Sequence, residues 1–202
     1  WAMETRETAD LADGPVVVKA GDVQVSLRVN EEGAPEVEAV KKGKVQYVKK
    51  ADFNRIDPKK PNLVDAETRL LSNPTLVNDT SINRHTAVLA NLEPGTTYLY
   101  SVGDGSEDGW TELCEFTTAP EKVVPFSFVY MGDAQNGLDR WGSLIHTAYR
   151  ERPDAAFYIM AGDLVNRGAE RNDWDSFFQN ATGVFDRRQL VPCLGNHEYQ
   201  NN

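Results

Sequence analysis

The sequence predicts two units in series: an all-β unit over residues 1–119 and an α/β unit of order β-α-β-α-β over residues 126–202, with a linker at 120–125. Three observations carry this reading. Before residue 119 the apolar residues fall in short β-branched or alternating runs separated by Gly, Asn, Asp and Pro. After Pro125 the period switches, and helical stripes alternate with apolar runs. Three of those later runs end abruptly in small clusters of polar residues.

Within the first unit, strands are expected at Val16–Val18, Val23–Val29, Val45–Val48, Thr86–Leu89, Thr97–Val102 and Leu113–Thr117. The sharpest local signal is Leu92 to Val102, where Pro94-Gly95 makes a turn that feeds an alternating strand. The first tyrosine of that strand, Tyr98, is placed to return its hydroxyl to the corner backbone, as in the tyrosine corner of immunoglobulin-like sandwiches. Lys49 to Asn83 is polar, contains Pro58, Pro61 and Pro74, and has weak periodicity, so it reads as a long excursion from the sandwich. In the second unit Leu138, Trp141, Leu144, Ile145, Ala148 and Tyr149 form one helical stripe that ends near Pro153. Trp174, Phe177, Phe178, Ala181, Val184 and Phe185 form another, with Asp173 and Asp175 in its first turn, where the helix dipole favours acids.

Composition narrows the function. A chain of 202 residues has room for two modest domains. Its formal net charge of −10 argues against a nucleic-acid partner, because phosphate backbones are bound by surplus Lys and Arg. It leaves phosphorylated small molecules open, since bound cations reverse the local sign. No apolar run approaches the ~20 residues that a membrane-spanning helix needs, so no membrane partner is expected. The chain opens on Trp1 in what reads as mid-strand, and further residues are expected before it. Cys114 and Cys193 lie in separate predicted units, both in apolar runs, and are expected as buried free thiols.

The three polar clusters carry the chemistry. Phe126–Met131 runs into Gly132-Asp133-Ala134-Gln135, Ala155–Ala161 into Gly162-Asp163-Leu164-Val165-Asn166, and Leu190–Leu194 into Gly195-Asn196-His197-Glu198. A Gly-Asp turn after a strand is common, and any one of these alone would mean little. Strands separated by helices run parallel, however, and their C-terminal ends line the edge where open α/β sheets bind ligands. Asp133, Asp163 and Asn196 brought to that edge offer oxygen donors for a hard or borderline cation such as Mg, Mn, Fe or Zn. Two such cations would clamp a phosphoryl group and lower the pKa of bound water from ~16 towards ~7. His197 is placed to ligate, to donate a proton to a leaving oxygen, or to stabilise phosphoryl oxygens.

At these residues the chain resembles the calcineurin-like metallophosphoesterases, and within them the purple acid phosphatases. The successive motifs Gly-Asp-x, Gly-Asp-x-x-Tyr and Gly-Asn-His-Glu/Asp are similar to Gly132-Asp133, Gly162 to Asn166, and Gly195 to Glu198. Upstream, Trp1-Ala-Met-Glu-Thr5 and His85 to Gly103 resemble the fibronectin-III-like domain that precedes the catalytic domain of plant and bacterial members. The resemblance implies such a domain over 1–119 and the first half of a metallophosphoesterase sandwich over 126–202. It implies two metal ions, divalent or trivalent. Asp133 would ligate the first, Asp163 would bridge both, Asn196 would ligate the second, and His197 would assist catalysis. It implies a small phosphate ester as substrate and an extracellular, periplasmic or cell-surface setting.

Departures from the family pattern sharpen these expectations. Asn166 stands where the family has its metal-binding Tyr, so the colour of tyrosinate-to-iron charge transfer is expected to be absent. Gln135 follows the first Asp where other members carry His, as a weaker ligand or a hydrogen-bonding support beside the metal, and Asn166 falls in the same class. The family completes its site with Val-x-x-His and Gly-His-x-His, expected to follow Asn202. The chain has three histidines: His197, a solvated His146 on the polar face of its helix, and a structural His85. It is therefore expected to act as a piece of a phosphoesterase, nearly inactive alone. The competing expectation is a binding or adhesion module whose α/β half has lost catalysis. A nucleotide-binding domain is disfavoured, because no Gly-x-Gly-x-x-Gly or Lys-bearing phosphate loop follows the first strand of the α/β unit.

Overall fold

The computed structural model describes residues 42–53, 60–78 and 81–199, together with the backbone of three strands at 16–20, 23–29 and 35–39. Those three, β1 (Val16–Ala20), β2 (Val23–Val29) and β3 (Pro35–Ala39), form an antiparallel sheet whose backbone register pairs Val18 with Val25 and Leu27 with Val37. The Trp1–Thr5 segment lies outside the described residues. A second antiparallel sheet has the order β5-β4-β8-β9, from β4 (Lys44–Lys49), β5 (Asn62–Asp65), β8 (Thr97–Gly103) and β9 (Cys114–Thr117). A third pairs β6 (Glu67–Ser72) with β7 (Ser81–Thr86) as a hairpin.

The expected tyrosine corner is present. Gly95 takes a left-handed φ of 60° in the turn, and the Glu93 N–H donates to Tyr98 Oη at 2.9 Å. Tyr98 is buried and packs against Phe116 and Tyr47, with ring centroids 5.5 and 6.0 Å away. Two strand expectations shift. The expected strand at Thr86–Leu89 is instead β7, ending at Thr86, and the polar excursion contains β5 and β6. Side chains in β6 and β7 are mostly exposed, so neither strand carries the apolar alternation by which a half-buried strand is read. Backbone pairing alone makes them strands. His85 is a surface residue of β7, its Nδ1 2.8 Å from Thr68 Oγ1 in β6.

The α/β unit is a parallel sheet of order β10-β11-β12, from β10 (Val129–Met131), β11 (Phe157–Ala161) and β12 (Gln189–Cys193). Helix α1 (Leu138–Glu151) links the first two strands and α2 (Arg171–Asn180) the second two. Both helices lie over one face of the sheet. Their contact is a stacked Trp141–Phe177 pair at 4.5 Å, above Tyr158 and Met160, which are 0% exposed. Leu144 and Phe178, expected in the stripes, point outward instead. The second helix ends at Asn180, short of the expected Phe185: the Ala181 and Thr182 N–H groups already donate three residues back, to the Phe178 and Gln179 carbonyls, and Gly183 then takes a left-handed φ of 87°. Ala181, Val184 and Phe185 still reach the core through turns, with the Val184 and Phe185 N–H groups donating to the Ala181 carbonyl.

Among the described residues, nothing covers the opposite face of the sheet. Phe126, Phe128 and Phe157 cluster there with ring centroids 5.4–6.5 Å apart, Phe128 stacked on Phe157, and Tyr130 is 67% exposed. Cys193, expected buried, is exposed, and neither cysteine is in a disulfide.

Among the described residues, the strand-rich region and the α/β unit hydrogen-bond at two places. Tyr100 Oη donates to the Asp186 carbonyl at 2.5 Å, and Cys114 Sγ sits 3.4 Å from Asp186 Oδ2. Burial there pushes the Tyr100 hydroxyl up to about 12 and raises the Cys114 thiol above its usual value. At the second place Val77 bridges Glu170 in parallel fashion.

Candidate active site

Each of the three strand ends turns sharply, and the first two turns are built from non-glycine residues in left-handed backbone. Asp133 has φ 54° and Asp163 φ 51°. Such conformations cost of order 1–3 kcal/mol and persist where the surroundings enforce them, which is common at functional sites. Asp and Asn tolerate them better than most residues. Two backbone bonds tie the turns together: the Asp133 N–H donates to the Gly162 carbonyl and the Gln135 N–H to the Asp163 carbonyl, both at 3.2 Å.

The third strand end closes on the second. After β12 the chain enters a single helical turn, α3 (Asn196–Tyr199). Its His197 N–H donates to Asp163 Oδ1 at 3.1 Å. The two loops approach so closely that a Cβ on Gly195 would fall 2.1 Å from that same Oδ1, which only glycine avoids. The His197 ring is fixed from the other side, with Nδ1 2.6 Å from the Asn166 carbonyl oxygen. A carbonyl only accepts, so Nδ1 carries the proton and Nε2 is the nitrogen left for chemistry. The neutral ring offers a lone pair at Nε2; donation of a proton there needs the imidazolium.

Glu198 holds the whole arrangement, and the sequence reading assigned it no role. Its Oε1 accepts the N–H groups of Leu164 and Val165 at 2.8 and 3.1 Å. Its Oε2 accepts those of Asp163 and Gly195 at 3.0 and 2.7 Å. One carboxylate thus satisfies four backbone donors from two strand ends, in charge-assisted bonds. A signal was present: Glu198 is the third residue of α3 and reaches back to the N–H just before the helix, which is half of a capping box.

The structure therefore brings Asp163, Asn166 and His197 into direct contact, with the Asn166 carbonyl rather than its side chain engaged. Asp133 and Gln135 are joined to this group through the backbone of the neighbouring turn, and the Asp133 side chain is exposed. Asn196 is exposed as the first residue of α3. His146 lies elsewhere, in a polar groove of α1 with Asp139, Ser143 and Arg150.

The donor set fits part of a cation site. Asp163 keeps Oδ2 apart from the His197 bond, and the buried Gln135 Oε1 has no hydrogen-bond partner. A buried, unpartnered acceptor in this position suits an oxygen-liganded ion. Among the described residues, however, no three His, Cys, Asp or Glu side chains gather closely enough to hold a metal by themselves.

Two regions of the chain match known families. Residues 24–118 match the family model of the purple acid phosphatase N-terminal domain, and residues 126–202 match that of the calcineurin-like phosphoesterases. Among solved structures, the purple acid phosphatase PPD1 isolated from yellow lupin (Lupinus luteus) seeds is similar at 17% identity and a TM-score of 0.62. The alignment covers 92% of this chain and 36% of the lupin chain. At that identity the likeness is one of fold.

Proposed function

The chain joins a purple acid phosphatase N-terminal domain to the start of a calcineurin-like phosphoesterase domain, and from that premise we propose that it is part of a metal-dependent phosphoesterase acting on small phosphomonoesters. In this reading residues 1–119 are a fibronectin-III-like sandwich, 120–125 a linker, and 126–202 the first half of the catalytic domain. The observation that carries the reading is the His197 arrangement. Its ring is held at Nδ1 by the Asn166 carbonyl and its backbone by Asp163, which leaves Nε2 for chemistry at the sheet edge where Asp133 and Asp163 take left-handed backbone.

Asp133, Asp163 and Asn196, with Gln135 in support, are the residues that would hold two metal ions. When bound, those ions would supply positive charge at the phosphoryl group and acidify a water molecule. The chain's own residues do the rest. Glu198 keeps two strand ends in register, so that donors from β11 and β12 approach one phosphoryl group from fixed directions. His197 stabilises the phosphoryl oxygens or, as imidazolium, protonates the leaving oxygen from Nε2. His85 and His146 stand in other settings, so the remaining imidazole ligands of a closed dinuclear site are not among these residues. We expect the 202 residues alone to turn over little substrate.

The test is phosphate release from an aryl phosphate by the complete protein with added Mn²⁺ or Zn²⁺, paired with metal analysis. Turnover and bound metal should disappear together in Asp163→Asn. No turnover of any phosphoester, with metal content near zero in the wild type, would replace this reading with a binding module.

A further inference from the structure

Between β6 and β7 the chain reaches across to the α/β unit at residues 77 and 78. The Val77 N–H donates to the Ala169 carbonyl at 2.8 Å, and the Val77 carbonyl accepts from the Arg171 N–H at 3.2 Å. This two-bond pairing adds a one-residue strand to the segment that leads into α2. Beside it Asn78, at φ 58°, donates from Nδ2 to Glu170 Oε2 at 3.3 Å, and Glu170 Oε1 also pairs with Arg167 at 3.2 Å.

The far side of the same segment is the wall of the candidate site. The Gly168 N–H donates to the His197 carbonyl at 3.0 Å, and the Gly168 carbonyl accepts from Trp174 Nε1 at 2.9 Å. A Cβ on Gly168 would lie 2.5 Å from the Glu198 carbonyl oxygen, so the segment is pressed against α3 with no room to spare. Val77 grips Ala169, and Gly168 grips His197. Only one peptide link separates the two contacts.

We propose that the β6–β7 connection, through Val77 and Asn78, is a positioning element for His197: the strand-rich region holds the 167–171 segment so that α3 presents its histidine in one orientation. The physical reason is the shortness of the path. A segment with one edge paired to Val77 and the other to His197 has little freedom to shift without breaking a backbone bond at one side. The Val77 side chain is itself half exposed, so its contribution is through the main chain. This inference rests on the proposed role of His197.

Three variants test it on the 202-residue chain by NMR. Val77→Pro removes the N–H donated to Ala169. Asn78→Gly keeps the left-handed turn and removes the side-chain bond to Glu170. Val77→Ala keeps both main-chain bonds. Val77→Pro should accelerate amide exchange at Gly168 and Arg171 by about tenfold, the worth of one lost hydrogen bond, and should shift the His197 Nδ1–H resonance. The Tyr158 and Met160 amides in β11 should stay protected. Asn78→Gly should move the same signals less, and it decides the matter should Val77→Pro not fold. Val77→Ala should move none. Acceleration at Arg171 alone, with Gly168 and His197 unchanged, would reduce the contact to a tether between regions and overturn the proposal. An equal response to Val77→Ala would overturn it too. In the complete protein, Val77→Pro should lower kcat and leave KM unchanged. Wild-type protein without turnover would defeat the phosphoesterase reading and leave the exchange and ring signals to judge the positioning role by themselves.

Discussion

The polar side chains of the strand-rich region and those of the α/β edge do different work. Around β4 and β8 they form surface ion pairs: Lys44 with Asp65, Lys49 with Glu93, and Lys50 with Glu115. Each is open to water, and such pairs contribute little net stability because solvent and salt screen them. At the ends of β11 and β12 a single acid, Glu198, is turned inward onto four backbone amides, and Asp163 takes a fifth. The pairs decorate one region, whereas the inward carboxylates determine the shape of the other. What differs is whether the carboxylate replaces water for a donor that would otherwise be unsatisfied.

The contrast yields graded expectations. The largest effect belongs to His197→Ala in the complete, metal-loaded protein: the rate should fall by ~10²–10⁴, the usual worth of a positioned acid or electrostatic donor, with metal retained. An unchanged rate would remove His197 from the chemistry. Next is Glu198→Gln, which keeps the volume but leaves one acceptor oxygen and turns an NH₂ group towards two N–H donors. Two lost charge-assisted bonds predict a destabilisation of about 3 kcal/mol, read by denaturant midpoint. A neutral outcome would make the Glu198 bonds no different in kind from the surface pairs.

Smaller is the pH response at the junction of the two regions. The Tyr100 hydroxyl titrates at about 12 in the folded chain against 10.0 for an ordinary tyrosine, chiefly because it is buried. Its folded value lies above the unfolded one, so its contribution is complete below pH 10.0 and is lost as pH climbs through about 12. Denaturation midpoints should fall across that window, and Tyr100→Phe should flatten the fall. A fall of the same size in Tyr100→Phe would assign it to other groups. The smallest expectation is Glu93→Gln, which breaks only the exposed pair with Lys49 and leaves the backbone N–H of residue 93 on Tyr98. The melting temperature should not move measurably, at low or high salt. A clear drop would show that the surface pairs carry weight after all.

Much of this architecture was legible in the residues, and the exceptions share a cause. The parallel β10-β11-β12 order, the helices between the strands and the Tyr98 corner all follow from patterns that local sequence carries: apolar runs, helical stripes and a Pro-Gly turn. The strands β3, β5 and β6 were missed because their side chains alternate weakly or are polar, and only their pairing partners make them strands. The early stop of α2 at Asn180 was hidden because Ala181, Val184 and Phe185 continue the helical stripe through turns. Cys193 was misread because an apolar run suggests burial, whereas β12 has one face open.

At the site the division is similar. Asp133, Asp163, Asn166, Asn196 and His197 could be picked out because Gly-Asp and Gly-Asn-His turns after strands are chemically unusual in succession. The role of Glu198 and the reach of Val77 could not be read in the same way, since each acts on backbone atoms up to dozens of residues away. Amino-acid order alone thus determined the α/β strands, the helices between them and the side chains that end those strands, because those depend on propensity and period within a few residues. Only the folded chain decided which amides each carboxylate satisfies, which nitrogen of His197 remains free and which loop steadies it. Those are matters of distance between segments remote in sequence, where a hydrogen bond either closes within about 3 Å or does not exist.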